Sequence, residues 1–210
     1  MTVGFVNAGL MNLEQAAGVI MGANIGTAVT SWVISMLQWH GVMQPGFYAP
    51  LLIGIGACIV LCAKKDVKRQ AGEMLVGFGL LFLGLDFVSS AVEPYTDVPV
   101  LTQICAIPGQ YPFIGLIAGL VLSALLQSTS AAVGILQTFA LSGLVPLNSA
   151  VFLILGMSLG TCVTVLWPAA GARQSAKRAA VFHLLFNASG VCLFAIAAAV
   201  IFWQYPQSGT

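Results

Sequence analysis

Six long apolar runs, separated by short polar or turn-rich stretches, dominate the hydrophobic pattern of the chain. They occupy residues 15–38, 47–63, 71–92, 113–143, 148–168 and 178–203. A helix needs about 20 apolar residues to cross a bilayer core of roughly 30 Å, so most of these runs are long enough to span a membrane. Only 6% of the 210 residues are charged, whereas a soluble domain usually carries roughly a quarter. The pattern therefore predicts an all-α integral membrane protein.

The seven basic residues fall into two clusters that define the expected topology. The first basic cluster comprises Lys64, Lys65, Lys68 and Arg69, and the second comprises Arg173, Lys177 and Arg178. The loops 39–46 and 93–112 contain neither lysine nor arginine. The positive-inside rule places both clusters in the cytoplasm and both of these loops outside. An even number of crossings must then separate the clusters, so the 113–143 run is expected to enter and return on the outer side.

The 113–143 run carries four consecutive polar residues at its centre, Gln127, Ser128, Thr129 and Ser130. A simple span is most apolar at this point, whereas two half-helices of about 15 residues would each be too short to cross cleanly. The run therefore predicts a re-entrant helical hairpin that turns at Ser128–Thr129. In such a hairpin the half-helix 130–141 presents free backbone N–H groups and a positive dipole end near the midplane.

An internal repeat relates residues 9–30 to residues 143–164 at a constant offset of 134, and ten of the aligned positions are identical. The identical positions include three glycines, Gly9, Gly22 and Gly26, and two threonines, Thr27 and Thr30. Under the charge rule, the run 148–168 crosses from outside to inside and the run 15–38 crosses the other way. We therefore expect an inverted-topology repeat, which in secondary transporters holds the substrate site between the two halves near the midplane.

Glycines and polar residues recur together within both copies of this repeat. Gly22 and Gly26 in the first copy, like Gly156 and Gly160 in the second, form Gly-x-x-x-Gly pairs that favour close helix packing. The polar positions on the same helices are Asn24, Thr27, Thr30, Ser158, Thr161 and Thr164. These polar residues are candidate ligands, and the alternative is that they only form hydrogen bonds between helices or to their own turn.

Three motifs resemble the sodium/phosphate cotransporter family, the type II renal-type family with bacterial relatives. They are Gln-Ser-Thr-Ser at 127–130, Gly-Ala-Asn-Ile-Gly-Thr at 22–27 and His183-Leu-Leu-Phe-Asn187. In that family a Gln-Ser-Ser-Ser motif occurs once per repeat, each on a re-entrant hairpin. The resemblance implies sodium-coupled transport of inorganic phosphate across the bacterial plasma membrane by alternating access, in a direction that it leaves open.

The candidate ligands follow from this resemblance and from the absence of basic residues in the interior of the apolar runs. A phosphate dianion there must be met by helix N-termini, backbone amides, hydroxyls and co-bound cations. Phosphate contacts are expected at Gln127, Ser128, Thr129, Ser130, Asn24, Thr27 and Thr161. Sodium contacts are expected at Gln127, Ser128, Ser130, Thr30, Ser158 and Thr164, with Asp86 as a further candidate cation ligand. His183 and Asn187 are assigned to interhelical hydrogen bonding.

The chain also departs from the family pattern. Thr129 replaces a serine, Met157-Ser158 stands where Ala23-Asn24 stands in the first copy, and the first Gln-Ser-Ser-Ser motif is missing. Subtracting the offset of 134 from Gln127 gives position −7. The first hairpin is therefore expected upstream of Met1, which makes the chain an expected N-terminal truncation.

The expected organisation has three parts. Residues 1–63 form the remainder of the first transport repeat, residues 64–112 form a basic loop, a connecting span and an external loop, and residues 113–210 form the second repeat. The net charge of +1 gives no reason to expect nucleic acid. The five cysteines lack zinc spacing, and no catalytic set shares one depth, so neither an enzyme nor a cofactor other than the coupling sodium ion is expected.

Two alternatives remain beside sodium-coupled transport in the lipid bilayer. The chain could be a non-transporting membrane subunit or partial gene product that packs against a partner chain, or it could be an anion channel. Whether it forms a homo-oligomer also stays open.

Overall fold

The computed structural model describes residues 1–38 and 45–204, and within these two ranges the chain forms nine α-helices and no strand. The helices are α1 Thr2–Asn7, α2 Leu13–Gln38, α3 Pro45–Cys62, α4 Asp66–Val92, α5 Pro99–Gln110, α6 Pro112–Leu126, α7 Thr129–Leu141, α8 Leu147–Ala169 and α9 Gln174–Gln204. A short 3-10 helix, Glu93–Tyr95, follows α4. The predicted all-α class is confirmed.

Four helices, α2, α4, α8 and α9, are each long and apolar enough to cross a membrane, counting the described residues alone. The pair α5 and α6 is bent by 107°, as in a broken span or a re-entrant segment, while α3 and α7 are shorter apolar helices. Large apolar side chains lie on the outside of the bundle, such as Trp32 with 72% and Leu193 with 65% of its surface exposed. Surfaces of this kind suit lipid rather than water. The protein is an integral membrane protein.

The region 93–112, expected to be an external loop, is mostly helical. Pro99 begins α5, a position that suits proline because its missing N–H would be unpaired there. Pro108 and Gly109 indicate a break in the sequence pattern, yet both lie inside α5. Its last turn is held against α8, since the Gly109 N–H donates to Ser149 Oγ at 2.9 Å. The turn expected at Pro108–Gly109 is thus replaced by helix, and the external position of the region stays a prediction.

Local signals fix corresponding helix ends in the two copies of the repeat. Asn12 and Gln15 form a capping box at the start of α2, with each backbone N–H donating to the other's side-chain oxygen at 3.0 and 2.8 Å. Gly9 follows α1 with φ of 75°, and Gly143 follows α7 with φ of 79°, a left-handed conformation that suits glycine. These glycines are 134 residues apart, as are the first residues of α2 and α8. The two copies thus share their local backbone geometry.

Close helix packing is confirmed for the second copy of the repeat, where α6 lies along α8. A Cβ on Gly160 would come within 2.6 Å of the Leu120 carbonyl oxygen, and one on Gly156 would meet the backbone of Leu116. For Gly22 and Gly26 the same prediction is wrong within the described part of the chain, since an added Cβ would meet no atom within 4 Å. The reason is that, within residues 1–38 and 45–204, no helix equivalent to α6 packs on that face of α2.

The half-helix α7 is held by buried apolar clusters on two sides. On one side, its residues Ala132, Val133 and Leu136 pack against Val145, Ala150 and Met157. On the other side, Ile135 of α7 packs against a cluster of Ile34, Ala49, Phe82 and Leu85 from α2, α3 and α4. α7 therefore contacts α2, α4 and α8, and these contacts position the turn that precedes it.

Candidate functional site

The polar quartet at 127–130 forms the tip of a helical hairpin between α6 and α7. Gln127 ends α6 in the left-handed conformation, with φ of 55° and ψ of 11°, and its N–H donates to the Ser123 carbonyl oxygen at 2.9 Å. Ser128 is extended, and its Oγ accepts the Ala131 N–H at 3.4 Å as an N-cap. The predicted break between two half-helices is confirmed, although α7 begins at Thr129 rather than Ser130, and the re-entrant path through the membrane stays a prediction.

Backbone strain is concentrated at this tip. Among the described residues, Gln127 is the one non-glycine residue with a positive φ. The left-handed conformation costs a residue with a side chain roughly 1–2 kcal/mol, which glycine avoids. Strain of this kind is often kept at functional sites, so the backbone supports a role for the Gln127 side chain beyond reversing the chain.

A cavity of about 520 Å³, called the central cavity below, lies between α2, α7 and α8. Five predicted ligands from both copies of the repeat line it, namely Asn24, Thr27, Thr129, Ser158 and Thr161. Its other lining residues are Ala28, Ser31, Trp32, Ser35, Val133, Gln137 and Ile154. No charged side chain is among them, so a charged ligand must be met there by dipoles and by other ions.

The remaining predicted ligands do not line the central cavity. Gln127, Ser128 and Ser130 belong to the hairpin tip next to Thr129. Thr30 donates to the Gly26 carbonyl oxygen at 3.0 Å. It lies three residues after Thr27, which turns the helix by about 300° rather than a full circle, so Thr30 lies beside the face of α2 that lines the cavity. Asp86 is half-buried on α4 and does not line the central cavity.

A second cavity of about 480 Å³ is lined by α1, α2, α8 and α9. Its lining includes Ile20 and Ala23 of α2, Thr164 and Pro168 of α8, and His183 of α9. Along α2 these residues precede the ones that line the central cavity, whereas along α8 they follow them. The helices α2 and α8 therefore pass the two cavities in opposite directions.

Four polar residues of the central cavity, Ser31, Trp32, Ser35 and Gln137, are missing from the sequence-based candidates. Ser31 and Ser35 follow Thr27 at intervals of four residues, so the helical period could have found them. Gln137 lies two turns after Thr129 on α7. Its Nε2 donates to the Ser31 carbonyl oxygen at 3.2 Å, while its Oε1 is buried without a hydrogen-bond partner. A glutamine inside an apolar half-helix was the available signal.

Interhelical hydrogen bonding is confirmed for Asn187. Its Nδ2 donates to Cys162 Sγ at 3.1 Å, which joins α9 to α8. The Cys162 thiol in turn donates to the His183 carbonyl oxygen at 3.7 Å. The His183 side chain lines the second cavity instead.

No cluster of three or more His, Cys, Asp or Glu side chains that could hold a metal ion occurs at residues 1–38 or 45–204. The polar atoms of the central cavity are instead hydroxyl and amide groups, with one indole N–H from Trp32.

An apolar helical bundle with an uncharged polar cavity beside a helical hairpin is the architecture of a multi-pass membrane transport protein. The family model described as "Na+/Pi-cotransporter" matches residues 1–90 and 100–208, and the chain belongs to this family. The family consists of transporters rather than enzymes, and the chain is a multi-pass protein of the plasma membrane. The family resemblance seen in the sequence is confirmed.

Named relatives agree with this assignment. The chain is 29% identical over 191 residues to "Uncharacterized protein YqeW" of Bacillus subtilis (strain 168), covering 91% of this chain and 60% of that protein. It is 28% identical over 187 residues to "Putative inorganic phosphate export protein YjbB" of Escherichia coli (strain K12), covering 89% of this chain and 33% of that protein. It is 32% identical over 141 residues to "Sodium-dependent phosphate transport protein 2A" of Rattus norvegicus, covering 60% of this chain and 21% of that protein.

The chain thus spans 60% of the Bacillus relative and 33% of the Escherichia relative. No solved structure matches the chain.

Proposed function

We propose that this protein carries out sodium-coupled transport of inorganic phosphate by alternating access. The observation that carries the proposal is the central cavity, in which polar residues of both copies of the repeat meet the start of α7 in a member of the Na+/Pi-cotransporter family. Asn24 and Thr27 come from the first copy, and Ser158 and Thr161 come from the second. Thr129, the first residue of α7, lines the same cavity.

Phosphate would bind at the hairpin tip, where α7 offers free backbone N–H groups and the positive end of its dipole. Gln127, Ser128, Thr129 and Ser130 surround this end of the helix. A 13-residue helix supplies about half a positive charge, which cannot balance a dianion alone. Because no lysine or arginine lines the cavity, co-bound sodium ions are the natural source of the missing positive charge.

Alternating access is supported by the relation between α2 and α8. The two helices carry corresponding segments of the repeat and pass the two cavities in opposite directions. An inverted-topology repeat has this arrangement, and transporters built from such repeats expose a fixed site to each side in turn. The second cavity would then be one end of the path that leads from the central cavity.

One observation bears on direction. One relative bears a name that refers to phosphate export, so movement outwards is as open as uptake. A non-transporting membrane subunit or partial gene product is the second alternative. An anion channel is the third alternative.

The test is the flux of radiolabelled phosphate in proteoliposomes, measured with a sodium gradient in either direction and with choline in place of sodium. Sodium-driven flux supports the proposal, and its preferred direction distinguishes uptake from export. Flux that ignores sodium indicates a channel. Sodium-dependent binding without flux indicates a subunit, and neither binding nor flux refutes the proposal.

A matched pair of serine variants examines the hairpin tip in the same assay. Ser128→Ala removes the N-cap of α7, which typically costs about 1 kcal/mol of stability, together with a proposed phosphate contact. Ser142→Ala removes a hydroxyl at the other end of the same helix, where Oγ donates to the Phe139 carbonyl oxygen at 3.0 Å. We expect Ser128→Ala to abolish phosphate binding and Ser142→Ala to preserve it. Equal binding by the two variants would show that the tip is not the phosphate site.

A further inference from the structure

The second half of α9 lies apart from the rest of the bundle. The buried residues of α9 all fall within its first half, at 176–191, whereas each residue at 192–204 is exposed or half-buried. The rings of Phe202, near the end of α9, and Phe152 of α8 still meet, with centroids 6.2 Å apart. Between these two regions of contact, a space remains open along α8 and α9.

The space is a groove of about 320 Å³, called the α8–α9 groove below, and all of its lining side chains are apolar. On α9 the small Ala197 and Ala198 lie between the large Phe194 and Phe202, so this face of the helix has a depression at its centre. An apolar space of this kind holds neither water nor ions. Its occupant must therefore be apolar as well.

The α8–α9 groove is too narrow for another helix. Phe194 and Phe202 are eight residues apart, which gives a length of about 12 Å at 1.5 Å per residue. Dividing the volume of about 320 Å³ by this length gives a cross-section of about 27 Å², whereas a helix 10–12 Å wide needs roughly 80–110 Å². One hydrocarbon chain fits, because a passage about 6 Å across admits a row of carbon atoms that contact their neighbours at about 4 Å.

The groove is also continuous with the lipid-facing surface of the protein. Leu193 and Ile196, on the same half of α9, are large apolar side chains that are exposed, and such a surface suits lipid. Trp203 follows the last groove residue and is exposed too. Because tryptophan is enriched where a membrane meets water, this end of the groove is placed near the lipid headgroups. The groove then runs towards the bilayer interior, in the direction of a lipid tail.

We propose that the α8–α9 groove binds one acyl chain of a membrane lipid, and that this chain supports the wall of the central cavity. Ile154 of α8 lines both the groove and the central cavity, and it packs against the buried cluster that includes Val133 of α7. A side chain between two spaces loses contacts on whichever side is empty. A lipid tail on the groove side would therefore hold Ile154 in place. The inference goes beyond the proposed function, since it holds whichever solute enters the central cavity.

The test is photo-cross-linking to phosphatidylcholine that carries a diazirine on one acyl chain, with the chain reconstituted in nanodiscs of this lipid. A detergent wash before irradiation removes lipid from the open surface, and mass spectrometry then locates the label. We expect the label on groove residues such as Leu155 and Ala198. Label spread equally over exposed residues of other helices, such as Val29 of α2, would overturn the inference. So would an unlabelled groove in a chain that forms dimers, because a second copy would then cover it.

Two exposed alanines of α9 provide a matched pair. Ala197→Leu fills the groove, whereas Ala199→Leu adds the same side chain outside it, about 200° further round the helix. We expect Ala197→Leu to lower the groove label by roughly tenfold or more, since excluding two methylene groups costs that much. Ala199→Leu should retain the label. Ala198→Leu fills the groove from a neighbouring position and replaces Ala197→Leu if that variant unfolds. Equal labelling of the filled and control variants would overturn the inference.

Ile154→Ala tests the shared wall. Shortening this side chain should let the photoactive tail reach Val133, which lines the central cavity. Val151→Ala is the control, because Val151 lines the groove and not the central cavity, and its label should stay within the groove. Label at Val133 in both variants, or in neither, would overturn the role of Ile154 as the wall between the two spaces.

Discussion

Replacing Gln127 with glycine tests whether the hairpin tip keeps a strained residue for the sake of its side chain. The residue has φ of 55°, which costs a side chain roughly 1–2 kcal/mol. Glycine avoids this cost. Its greater conformational freedom in the unfolded chain, however, lowers the stability of the folded protein by about 0.4–1 kcal/mol. We therefore expect Gln127→Gly to be more stable than Gln127→Ala by about 0.5–1 kcal/mol. Both variants lack the side chain, so they differ mainly in strain.

The assay pairs thermal unfolding in detergent with binding of radiolabelled phosphate in the presence of sodium. A difference of 1 kcal/mol shifts the melting temperature of a chain of this size by about 2–4 °C, so the glycine variant should melt about 1–4 °C above the alanine variant. Neither variant should bind phosphate. Equal melting temperatures would show that Gln127 is not strained. Wild-type phosphate binding by Gln127→Gly would show that the side chain is not a ligand.

Two further predictions concern topology and packing. The topology is tested in a chain whose native cysteines are replaced by alanine and which carries single cysteines at positions 68, 97 or 177. Cysteines that replace Lys68 and Lys177 should react with membrane-impermeant reagents from the cytoplasm, and one that replaces Asp97 should react from outside. Cytoplasmic labelling at position 97 would contradict the inverted repeat. Gly156→Ala should lower the free energy of unfolding by about 1–3 kcal/mol through overpacking against α6, whereas Gly22→Ala, its counterpart in the first copy, should be neutral or gain up to about 1 kcal/mol of helix propensity. Thermal unfolding measures both variants, and equal losses would contradict the observed packing.

The helices themselves could be predicted because their signals are local. Long apolar runs set the spans, the Asn12–Gln15 capping box sets the start of α2, and four polar residues inside one run indicate the hairpin. The helix α5 could not be predicted in this way. Pro108 and Gly109 are ordinary turn signals, and a contact with Ser149 of α8 makes their segment helical. That contact depends on which helices pack together, and local pattern contains no such information.

The same distinction between local signals and tertiary contacts applies to the residues of the candidate site. Asn24, Thr27, Ser158 and Thr161 could be found because the repeat places them at matching positions on α2 and α8. Gln137 had a weaker signal, a glutamine inside an apolar half-helix. Its environment could not be predicted, because it comes from α7 packing against α2, where one amide atom is paired and the other is left without a partner.

Glycine packing shows the same dependence on tertiary contacts. Gly22 and Gly156 have equivalent sequence surroundings, but only the face of α8 that carries Gly156 has a helix packed against it among the described residues.

The most direct test of the account is whether sodium controls phosphate binding by this chain. Equilibrium binding of radiolabelled phosphate would be measured in nanodiscs over a range of sodium concentrations, with choline keeping the ionic strength constant. Phosphate affinity is expected to rise steeply with sodium, because the uncharged central cavity has no other source of positive charge beside the hairpin tip. Phosphate affinity that is the same in sodium and in choline would contradict it.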